Sequence, residues 1–378
     1  MDTWTSLPSS SCTQIRSNTV TDIQPLILAE VRNRVGHLTI NRPAAYNAIN
    51  LEAVRQIQAC LEQWAADDNV VAVVLRGSGD KAFCAGGDIR ELYDNHQQGS
   101  PLNEAFFREE YRLDQYIHDY PKPLLALAEG LVLGGGMGLF QGAAFRVVTS
   151  QARLGMPEVS IGYFPDVGGS YFLSRLAGEL GTCLAVTGNM IGAEDALYTG
   201  LADWLIAGEQ VAELDRCLDQ MDWQLAPQQS IRSLLATLAS PASKQGELEP
   251  LRGAIDRHFA FDRMPDILQS LAGEQDPSLT SWAHTTIETL RSRSPLAMAT
   301  TLQLLRRGRG LSLQQCFAME LQLIARWFEQ GDFIEGVRAL IVDKDKNPRW
   351  KYSSTEEVPQ AEVDALFAGI SLPGIQGT

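Results

Sequence analysis

Two carboxylates and two glycine clusters carry the chemistry that this sequence offers. Glu158 follows Met156-Pro157, and Asp166 follows Phe164-Pro165 eight residues further on. Each stands directly after a proline, in turn-like sequence rather than on a charged helical face. Upstream, three consecutive glycines, Gly134, Gly135 and Gly136, follow an apolar run at 123–128 that suits a buried strand. A small-residue segment at 138–144 then suits a closely packed helix. Strand, glycines and helix bring bare backbone N–H groups close to a ligand. A second glycine signal, Gly86-Gly87 before Asp88, lies further upstream. Taken alone, either cluster reads as surface turns. Two backbone donors from separate glycine loops are, however, what an oxyanion hole requires.

Other chemistries find no matching pattern. There is no GxSxG nucleophile elbow. No GxGxxG precedes a helix with an acid about 20 residues on, and no GxxxxGK[ST] loop occurs, so a nicotinamide or nucleotide cofactor is not expected. The five histidines and six cysteines are scattered, without HExxH or CxxC spacing, so no metal site is expected. The cysteines read as reduced thiols of a cytosolic protein.

The balance of 46 acidic against 31 basic residues, a net charge of −15, argues against nucleic acid and against an anionic membrane surface. No run of about 18 apolar residues predicts a transmembrane helix. Residues 1–25 are Ser/Thr-rich and lack both an apolar h-region and an arginine cluster. They read as a disordered lead-in rather than a signal, and the expected location is cytoplasmic.

The elements that must position the site follow from periodicity. Runs at 26–31 and 37–40 read as strands, with a hairpin turn at 34–36. Leu51, Val54, Ile57, Leu61 and Trp64 recur at helical spacing. The continuous apolar runs at 70–75, 124–128 and 145–148 suit strands buried on both faces. Helices are expected at 103–120, 170–180 and 193–199, and 201–206 closes this unit. That order is α/β. From about residue 211 strand runs disappear and helical patterns take over, as at Ser294-Pro295, a helix start, and at 313–328. The expected organisation is a lead-in at 1–25, a catalytic core at 26–210 and an all-helical lobe at 211–378. Read from its residues alone, that lobe packs or covers the core without chemistry of its own.

The glycine stretches together resemble the crotonase, or enoyl-CoA hydratase/isomerase, superfamily. KAFCAGGDIREL at 81–92 is similar to its first oxyanion-hole loop, and LVLGGGMGL at 131–139 to its second. The resemblance implies the crotonase-like spiral of ββα units, followed here by the helical lobe. It implies that the N–H groups of Gly87 and Gly135 bind a thioester oxygen, with Ala85, Asp88 and Gly134 against the substrate. Enoyl-CoA hydratases carry a catalytic glutamate two residues after the triple glycine, where this chain has Gly138. MPEVSIGYFPDVGGSYFLSRL at 156–176, FFREEY at 106–111 and FIEGVRALIVDKDKNPRW at 333–350 instead resemble the 3-hydroxyisobutyryl-CoA hydrolase branch. Ala44 departs from the lysine that many members carry after the NRP proline, near the CoA phosphates.

What the branch implies is hydrolysis of a short branched 3-hydroxyacyl-CoA in valine catabolism, with no cofactor, since CoA is part of the substrate. Glu158 acts as general base or as nucleophile through an anhydride. Asp166 orients Glu158 or the substrate hydroxyl, or manages a proton. Glu110 matches a position that contacts the acyl hydroxyl; from the residue alone it reads equally as a solvated helical charge. An isomerase or weak hydratase of the same fold and a non-catalytic acyl-CoA binder are the competing readings. The superfamily's habit of forming trimers allows a homo-oligomer.

Overall fold

The computed structural model describes residues 24–224, 226–240 and 245–374, so nearly all of the expected lead-in lies outside them. The chain enters through an antiparallel hairpin, β1 (Ile27–Arg32) and β2 (Val35–Ile40). The turn falls one residue earlier than expected. Asn33 and Arg34, with φ 41° and 68°, form it as a two-residue loop whose twist matches that of the strands. Val35 is thereby released into β2, where it is fully buried. Helix α1 (Leu51–Ala66) starts at Asn50, whose side chain accepts the Ala53 N–H at 3.1 Å. The positions Leu51, Val54, Ile57, Leu61 and Trp64 are all buried, as their spacing predicts.

Strands β3 (Ala72–Gly77), β4 (Ala82–Cys84), β5 (Leu124–Ala128), β6 (Leu131–Leu133), β7 (Phe145–Thr149), β8 (Arg153–Gly155), β9 (Ile191–Gly192) and β10 (Trp204–Ile206) follow. Helices α2 (Ile89–Gln97), α3 (Leu102–His118), α4 (Gly135–Gln141), α5 (Gly169–Phe172), α6 (Leu180–Thr187) and α7 (Ala193–Thr199) lie between them. Six strands form one sheet in the order β1-β2-β3-β5-β7-β10, parallel from β2 onward. The other four form a second sheet, β4-β6-β8-β9. That sheet escapes sequence reading because strands of two or three residues carry no measurable period. In β3 Val73 and Leu75 enter one core and Ala72 and Val74 the other, which is why the run is continuously apolar.

Two helical expectations shift. Helix α4 begins at Gly135, inside the triple glycine, and ends before Ala143. The helix expected at 170–180 breaks after α5, where Leu176 turns extended and Gly178 takes φ 57°.

Among the described residues after β10 every named element is helical: α8 (Val211–Gln220), α9 (Pro227–Leu238), α10 (Leu248–His258), α11 (Met264–Ala272), α12 (Thr280–Arg291), α13 (Pro295–Gly308), α14 (Leu313–Gln330), α15 (Phe333–Val337) and α16 (Gln360–Phe367), with short 3-10 and π turns. Ser294 caps α13 by accepting the Ala297 N–H at 3.0 Å. Helices α8 and α9 lay Leu214, Leu218, Ile231 and Leu235 against Val74, Leu125 and Val147 of the large sheet. The change near residue 210 is therefore one of element type, and packing continues across it. Of the later helices, α13 and α15 pack against the turn at 158–161, and α14 packs against α3 and α5. Among the described residues no helix is long and apolar enough to cross a membrane.

Candidate active site

The two glycine loops meet. After β4, Gly86 takes φ 100°, and a Cβ there would stand 3.3 Å from the Gly135 nitrogen. Ile49 bridges to Gly87 by donating to the Gly86 carbonyl at 2.9 Å and accepting the Asp88 N–H at 2.8 Å. Those two bonds flank Gly87 and leave its own N–H on the opposite side, toward the second loop. That loop turns at Gly134 (φ 50°) after β6, and the Gly134 carbonyl accepts the Met137 N–H at 2.7 Å to open α4. Gly136 is required for a different reason: a side chain there would strike the Cys84 carbonyl of β4. The Gly135 N–H belongs to the first residue of α4, which has no partner within its own helix.

Over these glycines lies a cavity of about 220 Å³, lined by Gly87, Gly135, Glu110, Glu158, Asp166 and Phe333 among others. The structure brings together every expected site residue except one. A Cβ on Gly134 would lie 2.8 Å from Glu158 Oε1, and one on Gly135 would collide with Glu110 Oε1. The two carboxyls thus sit side by side above the two loop glycines. Ala85 lines the same cavity, and its N–H donates to the Tyr46 carbonyl at 3.0 Å. The exception is Asp88. It does not line the cavity: its Oδ1 accepts the Glu91 N–H as the cap of α2, and its Oδ2 pairs with Arg42 at 2.8 Å. Both of its carboxylate oxygens are thus engaged within the protein.

The carboxyls are buried and lack cations. Glu110 is 2% exposed, Glu158 7% and Asp166 5%, so the reading of Glu110 as a solvated charge does not hold. Burial, and then the neighbouring Asp166, pushes Glu158 well above the usual carboxylate range. Burial, Asp114 and Asp166 push Glu110 up in the same way. Asp166 is raised to about 8, first by burial and then by Glu320, while the Tyr163 hydroxyl, donating to Oδ2 at 3.3 Å, opposes the rise. Glu110 Oε1 and Glu158 Oε2 have no hydrogen-bond partner among the described residues. Among the described residues no group of three or more His, Cys, Asp or Glu is arranged to hold a metal ion.

Each of the two turns that carry Glu158 and Asp166 is braced from the helical side. Glu158 opens a 3-10 turn (Glu158–Ile161) that closes at Gly162, φ 69°. The Trp327 indole N–H of α14 donates to the Gly162 carbonyl at 3.0 Å, and a Cβ on Gly162 would meet the Asp332 carbonyl at 2.6 Å. After Asp166, Val167 holds φ 49°, a strained conformation for a β-branched residue. Tyr111 Oη accepts the Val167 N–H at 3.1 Å. Glu320 of α14, fully buried, accepts the N–H groups of Gly168 at 2.8 Å and Ser170 at 3.0 Å, together with the Ser170 hydroxyl. The lobe therefore contributes more than packing, and Phe333 from α15 walls the cavity directly. Glu320 escapes sequence reading because nothing near it in the chain marks it as different from other positions of an amphipathic helix, whereas Phe333 opens the stretch at 333–350 without a role that the residues themselves disclose.

Gly138 has a structural explanation. A Cβ there would lie 2.6 Å from Asp114 Oδ2 and 2.8 Å from the Val167 Cβ. No side chain fits where hydratases place their glutamate. Asp114 was also missed, although it stands one helical turn after Glu110 on α3.

A spiral of parallel strands with paired glycine loops beneath buried carboxyls defines a crotonase-fold protein. The chain belongs to the enoyl-CoA hydratase/isomerase family, which matches residues 35–367. Among its relatives, the proteins named 3-hydroxyisobutyryl-CoA hydrolase, mitochondrial, are 36% identical in Gallus gallus, over 92% of this chain and 90% of that protein. The human protein of that name is 34% identical, over 94% of this chain and 92% of its own length. Two solved structures superpose closely. One, described as an enoyl-CoA hydratase from Rhodobacter sphaeroides, is 36% identical with a TM-score of 0.82, covering 91% of this chain and 97% of its own. The other, described as a carnitinyl-CoA dehydratase from Mycobacterium thermoresistibile, is 33% identical with a TM-score of 0.84, covering 93% and 99%. The hydrolases are designated mitochondrial, in Dictyostelium discoideum as in vertebrates, which overturns the cytoplasmic expectation. That expectation rested on the scattered cysteines and on residues 1–25, almost all of which lie outside the described structure.

Proposed function

We propose that this chain hydrolyses the thioester of a short branched 3-hydroxyacyl-CoA, 3-hydroxyisobutyryl-CoA, to 3-hydroxyisobutyrate and CoA. The observation that carries this reading is the placement of Glu158 directly over Gly134, beside the apposed Gly87 and Gly135 loops. The names of the relatives point the same way. In this reading the two N–H groups polarise the thioester carbonyl and stabilise the tetrahedral oxyanion, each worth about 3 kcal/mol. The dipole of short α4 acts in the same sense. Glu158, once ionised, either attacks the carbonyl carbon to form an anhydride that water opens, or takes a proton from the attacking water. Asp166 and Glu110, held neutral by burial, donate hydrogen bonds toward the acyl hydroxyl and the leaving group. The unit at 26–210 supplies these groups and the helices at 211–378 brace them. No cofactor is needed, because CoA enters as part of the substrate.

Hydration is the second reading, since two structural neighbours are described as a hydratase and a dehydratase. The crowding of Gly138 by Asp114 and Val167 argues against it, because a second carboxylate cannot be carried there. Incubation with a panel of 3-hydroxyacyl-CoA and enoyl-CoA esters separates the readings. Thiol release from 3-hydroxyisobutyryl-CoA, without loss of enoyl absorbance from the unsaturated esters, is expected. Loss of enoyl absorbance without thiol release would favour hydration, and neither change would leave a binding protein.

A further inference from the structure

Resting on the hydrolase reading, a consequence follows from the stoichiometry of the reaction. Thioester and water give a carboxylate, a thiol and one proton. The C–S bond breaks, a C–O bond forms, one water proton ends on sulfur, and the other must leave as the product acid ionises. The carboxyls around the cavity are buried, and a bound CoA ester would occupy its mouth. Helix α3 offers another exit. Glu110, Asp114 and His118 stand at i, i+4 and i+8, on one face of the helix. Glu110 lines the 220 Å³ cavity. Asp114 and His118 line a second cavity of about 120 Å³, together with Gly138, Gln141 and Arg146. That volume has room for several waters. Val167 lines both cavities and forms the wall between them.

Asp114 is the unusual member. It is 2% exposed, and neither of its carboxyl oxygens has a hydrogen-bond partner among the described residues. Arg146, which shares its cavity, is already committed: it pairs with Asp203 at 2.6 Å and donates to Gln141 Oε1 at 2.7 Å. The other titratable groups facing Asp114 from adjacent elements are Asp166 on the loop and Glu320 on α14, both of which favour its neutral form, as does burial itself. A carboxyl of this kind can hold a proton and pass it on. His118, at the end of α3, is exposed to solvent. We propose that Glu110, Asp114 and His118 form a relay along α3 that carries the proton of each turnover from the substrate cavity through the second cavity to bulk water. Asp114 is its indispensable middle step, occupying the space that a side chain at position 138 would fill.

Two variants test this: Asp114→Asn, which keeps the shape and removes the exchangeable carboxyl proton, and His118→Ala, whose exposed position leaves the fold intact. Thiol release from 3-hydroxyisobutyryl-CoA is followed in dilute and in concentrated imidazole buffer, in H2O and in D2O. In dilute buffer both variants should lose about tenfold or more in kcat. KM should stay within about twofold, since no substrate contact is removed. The solvent isotope effect should rise, and imidazole should restore His118→Ala, whose lost group faces solvent. Wild-type kcat in both variants in dilute buffer would overturn the relay alone. So would a loss that is equal in all buffers with an unchanged isotope effect, because that marks a structural role. If Asp114→Asn does not fold, His118→Ala decides by the same criteria. Absence of thiol release by the wild-type protein would overturn the hydrolase reading and the relay with it.

Discussion

In the α/β core, Glu110 stands on the regular helix α3, but the other groups around the cavity sit on short or irregular backbone: Gly87 on the loop after β4, Gly135 at the first residue of short α4, Glu158 on a single 3-10 turn, Asp166 before a strained valine. In the helical lobe, Glu320 and Trp327 sit in the middle of an 18-residue helix. The core supplies reactive groups on backbone that does not hold its own shape. The lobe supplies regular structure whose side chains fix that backbone, through Trp327 at Gly162 and Glu320 at Gly168 and Ser170. The difference explains why the lobe is packed onto the site and not merely beside it. Strain at Val167 persists only because neighbours over-determine it.

That division of labour can be broken from either side. Gly135→Pro deletes an N–H from the core while keeping a residue that the first turn of a helix accepts. Its kcat should fall by about 10²–10³. Its ring would also displace Glu110 Oε1, so a thermal melt beside the rate separates loss of the donor from loss of the fold, and retained activity would mean that the oxyanion donor lies elsewhere.

Glu320→Gln probes the lobe. An amide cannot accept from Gly168, Ser170 and the Ser170 hydroxyl as a carboxylate does. The loop carrying Asp166 should lose its geometry, and kcat should drop by about 10- to 100-fold with little change in KM. Removing the Glu320 charge should also move the Asp166 ionisation down from about 8, seen as a shifted limb in the pH–rate profile. A rise in KM alone, with an unmoved profile, would show that Glu320 serves only packing.

The smallest effect is on stability against pH. Asp166 is raised to about 8 and Glu320 to about 7, each chiefly by burial. Both lie above the unfolded values of about 3.9 and 4.3. The folded state therefore binds more protons, and stability present below about pH 4 is lost as pH rises through 7 and 8. The Tm should fall by about 2 °C or more between pH 5 and 8. The slope should flatten in Asp166→Asn. A Tm that rises over this interval would contradict the burial of these carboxyls as neutral groups.

The same contrast decides what could be read from the residues alone. Glycine and proline constrain backbone locally, so both glycine loops, Glu158 and Asp166 were visible as motifs, and the long strands as apolar runs. A motif position does not reveal that the Asp88 carboxylate caps α2 and pairs with Arg42. Glu320 lies 150 residues from its partner Ser170, and no local pattern records such a contact. Asp114 left a trace, the i+4 spacing from Glu110, but burial alone distinguishes it from the exposed charges of the same helix.

In the proposed mechanism Glu158 performs the cleavage step above the paired glycine loops. The direct measurement is thiol release from 3-hydroxyisobutyryl-CoA by Glu158→Gln beside the parent, with binding of the ester measured separately. The account predicts loss of turnover by about 10³ or more with binding kept within a few-fold. Turnover near that of the parent would remove Glu158 from the mechanism and the account with it.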